Sequence, residues 1–203
     1  MSTRISMYPL VTLGLLLAAC ADDGITAPGL LDVPRTQAQV IDAARAPGTH
    51  GMVPITWRYH MTEMPGDVIW CTNSDDSSPF LSFPVNWKGT GRMTHLGVMD
   101  SQATMAWFTS CTVEIVGGYP VSGSAHGLVH VVGANGDAVD MEGTLTLSFA
   151  ENVATGEWTI TGGTGRFTGA SGWMNTREVP SEDGSGSVGG GSGMITAPGV
   201  LGR

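Results

Sequence analysis

The sequence predicts an all-β fold, an eight-stranded antiparallel closed barrel that follows an N-terminal signal and a flexible tether. Apolar and polar side chains alternate residue by residue from Met52 onward, which is the periodicity of strands with one buried face. Short turn motifs separate the alternating runs, and no convincing helical periodicity follows Met52. Many strands joined by short turns favour a closed barrel or a sandwich, and closure removes exposed sheet edges.

Composition restricts the class of protein. The 203 residues include 30 glycines, and 13% of the residues are charged, which is too apolar for a disordered chain and too glycine-rich for a helical bundle. Acidic residues outnumber basic residues 18 to 9, giving a net charge of -9. Lys88 is the only lysine, and phosphate backbones are bound by clustered cations, so we predict no nucleic-acid partner.

The first element of the chain is a predicted export signal at residues 1–19. Residues 1–4 are positively charged, residues 5–17 are mostly apolar, and small residues follow them. This order is typical of a secretory signal, and the apolar run is too short to span a bilayer comfortably. We therefore expect an exported protein.

The sequence Leu17-Ala18-Ala19-Cys20 resembles the lipobox of bacterial lipoprotein signals. In that family the cysteine is diacylated, the signal is cut before it, and the new amine is usually acylated. The resemblance implies that Cys20 begins the mature chain and anchors it to a lipid bilayer through several acyl chains, palmitate among them. It also implies the exported side of a membrane in a bacterial cell envelope, with the inner and the outer membrane both open. The alternative is an ordinary cleaved signal.

A tether is predicted at residues 20–51, a barrel domain at 52–196 and a C-terminal tail at 197–203. Three prolines interrupt regular structure in the tether, and alternation is absent there, although residues 37–45 could form a short helix. Residues 181–193 are nearly all glycine and serine. They read either as a flexible linker or, in part, as a glycine-rich closing strand.

Cys71 and Cys111 are predicted to form a disulfide. They are the cysteines that remain after Cys20, and an exported domain with two remaining cysteines is a good candidate for a bridge. Closing a loop of about 40 residues would stabilise the fold by about 3–4 kcal/mol. Two buried free thiols are the alternative, whereas the count and spacing exclude a Cys-x-x-Cys redox pair and a four-ligand zinc site.

Eight candidate strands follow from the alternation and from turns such as Asn135-Gly136, the strongest short hairpin signal. The strands lie at about residues 53–63, 80–94, 97–116, 122–133, 138–149, 156–162, 166–177 and 186–196. Alternation is clearest from Met141 to Phe149. Between Met105 and Ile115 the odd-numbered residues form the predicted apolar face, and Phe108 breaks the pattern.

Two segments resemble allene oxide cyclase-like and dirigent-like barrels. Residues 160–172, Ile-Thr-Gly-Gly-Thr-Gly-Arg-Phe-Thr-Gly-Ala-Ser-Gly, resemble their penultimate hairpin, and residues 89–97 resemble a segment of their bacterial relatives. The resemblance covers roughly residues 52–196 and implies an eight-stranded antiparallel barrel of the calycin type, often with an apolar interior. The cyclase isomerises an unsaturated lipid epoxide, and dirigent proteins orient phenoxy radicals. Matching glycines imply the fold and not the chemistry.

Candidate catalytic residues are few. The cyclase's catalytic acid lies on its first strand, but residues 58–62 beside Glu63, the nearest acid, do not match, so no catalytic residue is carried over. Glu63 and His95 are the acid–base candidates, because a histidine titrates near neutral pH. Arg92, Trp107 and Trp158 are the candidates for ligand binding.

Metal and cofactor chemistry is not expected. His126 and His130 are four apart, which on a strand separates them by about 13 Å, too far to share one metal ion. Asp140 and Glu142 share a face, about 7 Å apart, and could flank a cation or act as an acid–base pair, although a solvated acidic strand is favoured. The glycine-rich turns lack the lysine and the following helix of a phosphate loop.

Three functions are compatible with these predictions. We favour a membrane-anchored envelope lipoprotein whose barrel binds a small apolar ligand or a partner protein. The alternatives are an isomerase or cyclase acting on a lipid-like substrate in the barrel interior, and a purely structural envelope scaffold. The interior decides between them: an open apolar cavity with a buried acid favours chemistry, an open cavity without one favours binding, and a filled interior favours the scaffold.

Overall fold

A computed structural model describes residues 51–201 of the chain. The predicted signal, the lipobox with Cys20, the tether and its short helix therefore lie outside the described residues. The strands are β1 (Val53–Glu63), β2 (Val68–Asn73), β3 (Pro79–Pro84), β4 (Asn86–Met93), β5 (Gly97–Val98), β6 (Met105–Val116), β7 (Tyr119–Val132), β8 (Ala138–Ser148), β9 (Val153–Thr164), β10 (Ser171–Pro180) and β11 (Gly186–Thr196). A four-residue helix, α1 (Pro198–Leu201), follows the last strand.

Eight of these strands form a closed ring. The order is β6-β7-β8-β9-β10-β11-β1-β4, and β4 pairs back with β6, with every neighbour antiparallel. The β2–β3 hairpin joins the outside of the ring through a short parallel pairing with β6, and β5 pairs with β4. The predicted all-β class is confirmed.

Alternation places one face of each strand inside the ring. In β8, Met141 and Leu145 are buried. In β9, Trp158 and Ile160 are buried, whereas Glu157, the residue before Trp158, is exposed. Period-two burial arises because successive side chains of a strand point to opposite faces of the sheet. The alternation predicted for these two strands is confirmed.

The predicted strand at 97–116 has a different phase from the one expected. A β-bulge lies between Phe108 and Ser110, so the inward face changes from even to odd positions along β6. Ala106 and Phe108 are therefore buried, as are Cys111 and Val113 beyond the bulge. Placing the odd-numbered residues from 105 to 109 on the apolar face was wrong, because the bulge inserts one extra residue into the ladder.

Strand boundaries also differ from the predicted ones. The run at 80–94 is interrupted at Val85, where β3 of the outer hairpin ends and β4 of the ring begins, and the predicted strands did not include β2. Residues 186–193, nearly all glycine and serine, lie in β11, which pairs along its length with both β10 and β1. Two neighbouring ladders satisfy its backbone groups, so this stretch forms a strand although few side chains pack from it.

The Cys71–Cys111 disulfide is present and links β2 to β6 across 40 residues of sequence. Both cysteines are buried. Phe83 of the same hairpin packs edge-on against Phe108, with ring centroids 5.2 Å apart. The bridge and this aromatic contact hold the β2–β3 hairpin against the ring.

The two ends of the ring are unequal. At the end where β1 begins, a turn of 3-10 helix places Phe167, which is fully buried, among Leu96, Ala170 and Ala197. This end is filled by packed side chains. The opposite end, where β1 stops and β11 starts, is the open one. No helix within residues 51–201 has the length and apolar character needed to cross a membrane.

Candidate functional site

A cavity of about 220 Å³ occupies the open end of the ring. Its walls are mostly aromatic and aliphatic side chains from β1, β6, β8 and β9, among them Trp57, Phe108, Leu145 and Trp158. Phe83 of the hairpin and Trp87 at the start of β4 complete the apolar wall. The volume exceeds the roughly 150 Å³ of an apolar cavity that admits benzene and lies below the roughly 300 Å³ of a drug-sized pocket.

Glu178 is the one charged side chain among the described residues that line this cavity. It occupies an inward position of β10, in phase with the buried residues Met174 and Thr176. The Ser187 hydroxyl donates a hydrogen bond to Glu178 Oε2 at 3.1 Å. Glu178 itself is half-buried, and the buried Tyr59 of β1 reaches the same carboxyl group with its phenol.

Further polar groups adjoin this carboxyl group. The Trp158 indole N–H donates to Thr176 Oγ1 at 3.0 Å. The Tyr59 phenol lies within hydrogen-bonding reach of both Thr176 and Glu178. Tyr59 therefore connects the Trp158–Thr176 pair with the carboxyl group.

Burial governs the protonation of both ionisable groups. Loss of solvent raises the pKa of Glu178 above its ordinary value, and the hydrogen bonds from Ser187 and Tyr59 offset only part of that effect. Burial also raises the pKa of Tyr59 far above its usual range, and the nearby carboxylate raises it further. Burial therefore shifts the protonation equilibria of both side chains toward their neutral forms.

Glycines make room for this polar group. Gly189 of β11 pairs with Tyr59 on one side and Glu178 on the other. A Cβ at Gly189 would lie 2.9 Å from Tyr59 Cζ and 2.7 Å from Glu178 Cβ, so a side chain there would fill the space in which the two groups meet. Gly156 of β9 likewise leaves space for the Trp158–Thr176 hydrogen bond.

The three predicted binding residues are separated by the fold. Trp158 lines the cavity. Trp107 does not, because it precedes the β6 bulge and lies on the outer face, where it is half-buried. Arg92 is exposed on the outer face of β4.

The two predicted acid–base residues lie outside the cavity lining. Glu63 shares the inward phase of Tyr59 and Met61 but ends β1, where it is exposed. His95 lies in the turn after β4 with a left-handed backbone, φ 66°, and its Nε2 is 3.1 Å from the Pro54 carbonyl oxygen. The structure therefore does not bring Glu63 and His95 together.

The polar residues of β7 and β8 pair on the outside of the ring. His130 Nδ1 lies 2.6 Å from Asp140 Oδ1, and His126 Nε2 lies 3.5 Å from Glu142 Oε1. Each histidine thus has its own carboxylate, and all four side chains are substantially exposed. Among residues 51–201, no three His, Cys, Asp or Glu side chains converge as metal ligands would.

Sequence reasoning did not select Glu178, Tyr59 or Ser187. Tyr59 stands two residues from Trp57 in a clearly alternating run, and Glu178 stands four residues from Met174. An acid in phase with buried neighbours is a signal for an inward carboxyl group. Ser187 had no such signal, because its alternation is hidden in a run of glycine and serine.

The arrangement can perform two chemical tasks. The apolar walls can enclose a small hydrophobic molecule. The carboxyl group of Glu178 can accept a hydrogen bond from that molecule or, in its protonated form, donate a hydrogen bond or a proton to it.

No known protein family and no curated protein matches the chain. Among solved structures, the chain is similar to the pterocarpan synthase dirigent protein GePTS1, at 14% sequence identity, with 71% of this chain and 83% of that chain covered and a TM-score of 0.36.

Proposed function

We propose that the ring is a calycin-type barrel that binds a small apolar ligand in its interior, in an exported protein anchored to the bacterial cell envelope through acylated Cys20. The observation that carries the binding role is the cavity of about 220 Å³ with predominantly apolar walls. Burial of a ligand's apolar surface is favourable by about 25 cal/mol per Å². Apolar contact is the main interaction that these cavity walls can make with a ligand.

The size of the cavity limits the ligand. A volume between those of a benzene site and a drug-sized pocket suits one substituted ring or a short aliphatic chain. The Cys71–Cys111 disulfide is consistent with an oxidising compartment, as expected for an exported domain. The scaffold alternative is less favoured, because a filled interior would be expected and only one end is filled.

A binding experiment with a cavity-filling variant tests the ligand role. Isopropylbenzene is titrated into the protein, and the tryptophan indole N–H resonances are followed, since three tryptophans line the cavity. Ala154→Leu adds bulk to the cavity wall and is expected to abolish binding, whereas Ala150→Leu, in an exposed turn, is the matched control. Equal binding by both variants would contradict the proposal.

Mass spectrometry of the membrane fraction tests the anchor. The expected mature chain begins at Cys20 and carries acyl groups, and Cys20→Ser is expected to remove both the acyl groups and the membrane association. An intact Met1, or a mature chain with a free Cys20 thiol, would contradict the anchor and leave the binding role untouched.

A second candidate function is isomerisation or cyclisation of a lipid-like substrate, which the Glu178–Tyr59 pair in the cavity favours. Glu178 would give its proton to an epoxide oxygen as a C–O bond breaks, and would recover a proton from an adjacent carbon, so no co-reactant is consumed. Unsaturated epoxides are incubated with wild type, Glu178→Gln and Tyr59→Phe. Glu63→Gln and His95→Ala test the two residues that the sequence suggested. Equal turnover by wild type and Glu178→Gln would dismiss the acid.

A further inference from the structure

The cavity concentrates the aromatic side chains of the protein. Three tryptophans, three phenylalanines and one tyrosine line it, which is half of the aromatic residues in the chain. Phe83 meets Phe108 edge-on, and it lies tilted by 38° against Trp87 with ring centroids 6.1 Å apart. Because inclined rings do not cover each other's faces by parallel stacking, electron-rich ring faces remain to contact a ligand.

The tryptophans of the cavity have no indole N–H group left for a ligand. The indole N–H of Trp57 donates to Met99 Sδ at 3.1 Å. That of Trp87 donates to the Pro84 carbonyl oxygen at 3.1 Å, and that of Trp158 is used in the hydrogen bond described above. The three tryptophans therefore offer a ligand aromatic carbon and no hydrogen-bond donor.

The ionic charge that the lining can carry at neutral pH has one sign. Glu178 supplies it, and no lysine, arginine or histidine among residues 51–201 lines the cavity. Ser148 and Asn152, at the β8–β9 turn, are uncharged. A carboxylate has about four acceptor positions, so its two hydrogen-bond partners leave some of them unused. Tyr59, one of those partners, also packs against Trp57 with ring centroids 4.1 Å apart, so the acid adjoins the aromatic wall.

We propose that the cavity is an aromatic cage for a quaternary ammonium group, with Glu178 as its counter-ion. This inference rests on the proposed ligand-binding function and names the class of ligand. A quaternary ammonium group has a hydrocarbon surface that suits apolar walls, and it carries no N–H group that burial would leave unsatisfied. Aromatic faces attract such a cation within about 6 Å of the ring centroid.

Glu178 need not be ionised in the empty cavity. A cation beside a carboxyl group favours the ionised form, so binding of the ligand itself promotes the loss of the proton. Because Glu178 is half-buried, its attraction for a cation is screened less than at the exposed surface. An anionic ligand would meet an acid and ring faces without any cation to pair with, which is costly in an apolar site.

Three probes of similar size separate these cases: phenyltrimethylammonium, its uncharged isostere tert-butylbenzene, and benzenesulfonate. Each is titrated at neutral pH into wild type and four variants, with the tryptophan indole resonances as readout. Glu178→Gln removes the charge in the cavity, and its control Glu182→Gln removes that of an exposed acid in the neighbouring turn. Phe83→Leu removes a ring from the cavity wall, and its control Phe80→Leu removes an exposed ring of the same strand.

Phenyltrimethylammonium is expected to bind wild type at least as tightly as tert-butylbenzene, although water solvates the cation better. Glu178→Gln is expected to weaken binding of the cation roughly 10-fold, and Phe83→Leu roughly 2- to 5-fold, the worth of one cation–π contact. Tert-butylbenzene should lose less in both variants, and the two control variants should match wild type with every probe. Benzenesulfonate is expected not to bind.

A free ammonium compound and the choline headgroup of a lipid share this chemistry. Phosphatidylcholine vesicles are therefore added to the complex with phenyltrimethylammonium, and phosphatidylglycerol vesicles serve as the control. Displacement of the probe by phosphatidylcholine vesicles alone would identify a headgroup as the source, whereas retention of the probe would identify a free compound.

The outcomes separate this inference from the proposed function. If tert-butylbenzene binds more tightly than the cation, or if Glu178→Gln binds the cation as well as wild type does, the cage is wrong and the apolar site stands. Equal losses in Glu178→Gln and Glu182→Gln would show attraction by the net charge of the protein and would also overturn the inference. A loss in Phe83→Leu that is equal for the cation and its isostere would contradict the role of the rings. If neither probe binds any variant, the proposed ligand-binding function itself fails. Circular dichroism of each variant checks that the sheet is intact.

Discussion

Glu178 is costly to the fold in its charged form, because its surroundings are apolar and its hydrogen-bond partners offset only part of the lost hydration. Residues of this kind are concentrated at functional sites, where a perturbed pKa serves binding or proton transfer. A purely structural role would be served better by an apolar residue of similar size. The cost of Glu178 should be visible in the stability of the protein.

Glu178→Gln is expected to stabilise the protein increasingly as pH rises. The folded-state pKa of Glu178 is raised above the ordinary value of 4.5, so below that value both states hold the proton and no penalty exists. As pH rises through the folded-state pKa, the wild type loses stability, because the unfolded chain ionises freely. Melting temperatures from acidic to neutral pH should show a growing gap between the variant and wild type. A gap that stays constant with pH would contradict a raised pKa of Glu178. The same holds if Glu157→Gln, on the exposed face of β9, shows an equal pH-dependent gap.

Thr176→Val tests the hydrogen bond between Trp158 and Thr176. The substitution keeps the shape of the side chain but leaves the buried Trp158 indole N–H without its acceptor. The expected loss of unfolding free energy is about 1–3 kcal/mol, the cost of an unsatisfied buried donor. Thr176→Ser retains the hydroxyl and should lose less. Equal losses by the two variants would indicate that packing and not the hydrogen bond is responsible.

At the residue scale, the sequence predicted the cavity residue Trp158 and failed on the polar group. Alternation assigns an inward face, but it gives no distance between residues on separate strands. Tyr59 and Glu178 lie more than a hundred positions apart and meet only because β11 separates β1 from β10. That juxtaposition depends on the order of strands in the ring, which alternation does not encode.

At the scale of the element, β11 is the strand with the most unusual composition. Its glycines allow the neighbouring backbones and side chains to approach where any Cβ would clash. Glycine in a strand ordinarily weakens it, since glycine loses more conformational freedom than other residues on folding. In β11 this loss is offset by hydrogen-bonded pairing with both β1 and β10. The strand therefore leaves space for the cavity side chains while its backbone is paired on both sides.

Gly189→Ala is expected to damage both stability and ligand binding. The added methyl group would approach Tyr59, Glu178 and the Arg177 carbonyl oxygen, which lies 2.7 Å from the Cβ position. Overpacking of this kind costs about 1–3 kcal/mol. Val188→Ala, at an outward position of the same strand, is the comparison variant. Denaturation midpoints and isopropylbenzene titration measure the two effects, and an unchanged affinity would show that Gly189 is not needed for the site.

Loss of the disulfide is expected to loosen the β2–β3 hairpin selectively. The hairpin's pairing with β6 covers only Thr72 and Asn73, so the Cys71–Cys111 bridge carries much of its attachment. Cys71→Ala/Cys111→Ala should lower the unfolding free energy by about 3 kcal/mol. Hydrogen exchange should accelerate in the hairpin more than in β7–β9. Uniform acceleration across the ring would show that the bridge stabilises the whole fold and not the hairpin.

Prediction of elements from sequence succeeded where alternation was unbroken and failed where it was not. The inward faces of β8 and β9 follow directly from their apolar residues. The β6 bulge changes the phase within a single run, and Phe108, which breaks the pattern, was its only trace. The strand β2 was missed because two of its apolar residues, Val68 and Trp70, are exposed. Apolar residues therefore do not mark the buried face of this strand.

At the scale of the whole molecule, the strand pairs that form the ring differ greatly in length. The β4–β6 junction has three paired positions, Asn86–Lys88 against Met105–Trp107, whereas β7 and β8 pair at eleven. The sequence predicted a closed sheet of eight strands, and eight strands do close the ring. It could not show which pair closes it, because closure depends on long-range register.

The β4–β6 junction is expected to open before any other part of the ring. Few hydrogen bonds cross it, and local opening follows regions of low contact density. Native-state hydrogen exchange should therefore show faster exchange at residues 86–88 than in the centres of β7 and β8. Addition of isopropylbenzene should slow exchange at Trp87, because Trp87 lines the cavity beside this junction. Uniform protection around the ring would contradict this order of opening.

The position of β11 in the chain has a consequence for biogenesis. Translation proceeds from the amino terminus, so β1 emerges long before β11, with which it pairs across more than a hundred residues. Until then Tyr59 faces no Glu178, and the glycine strand that joins them has not been made. The cavity is therefore complete only after β11 has been synthesised, and a nascent chain stalled before residue 186 exposes a sheet edge whose backbone groups are unpaired.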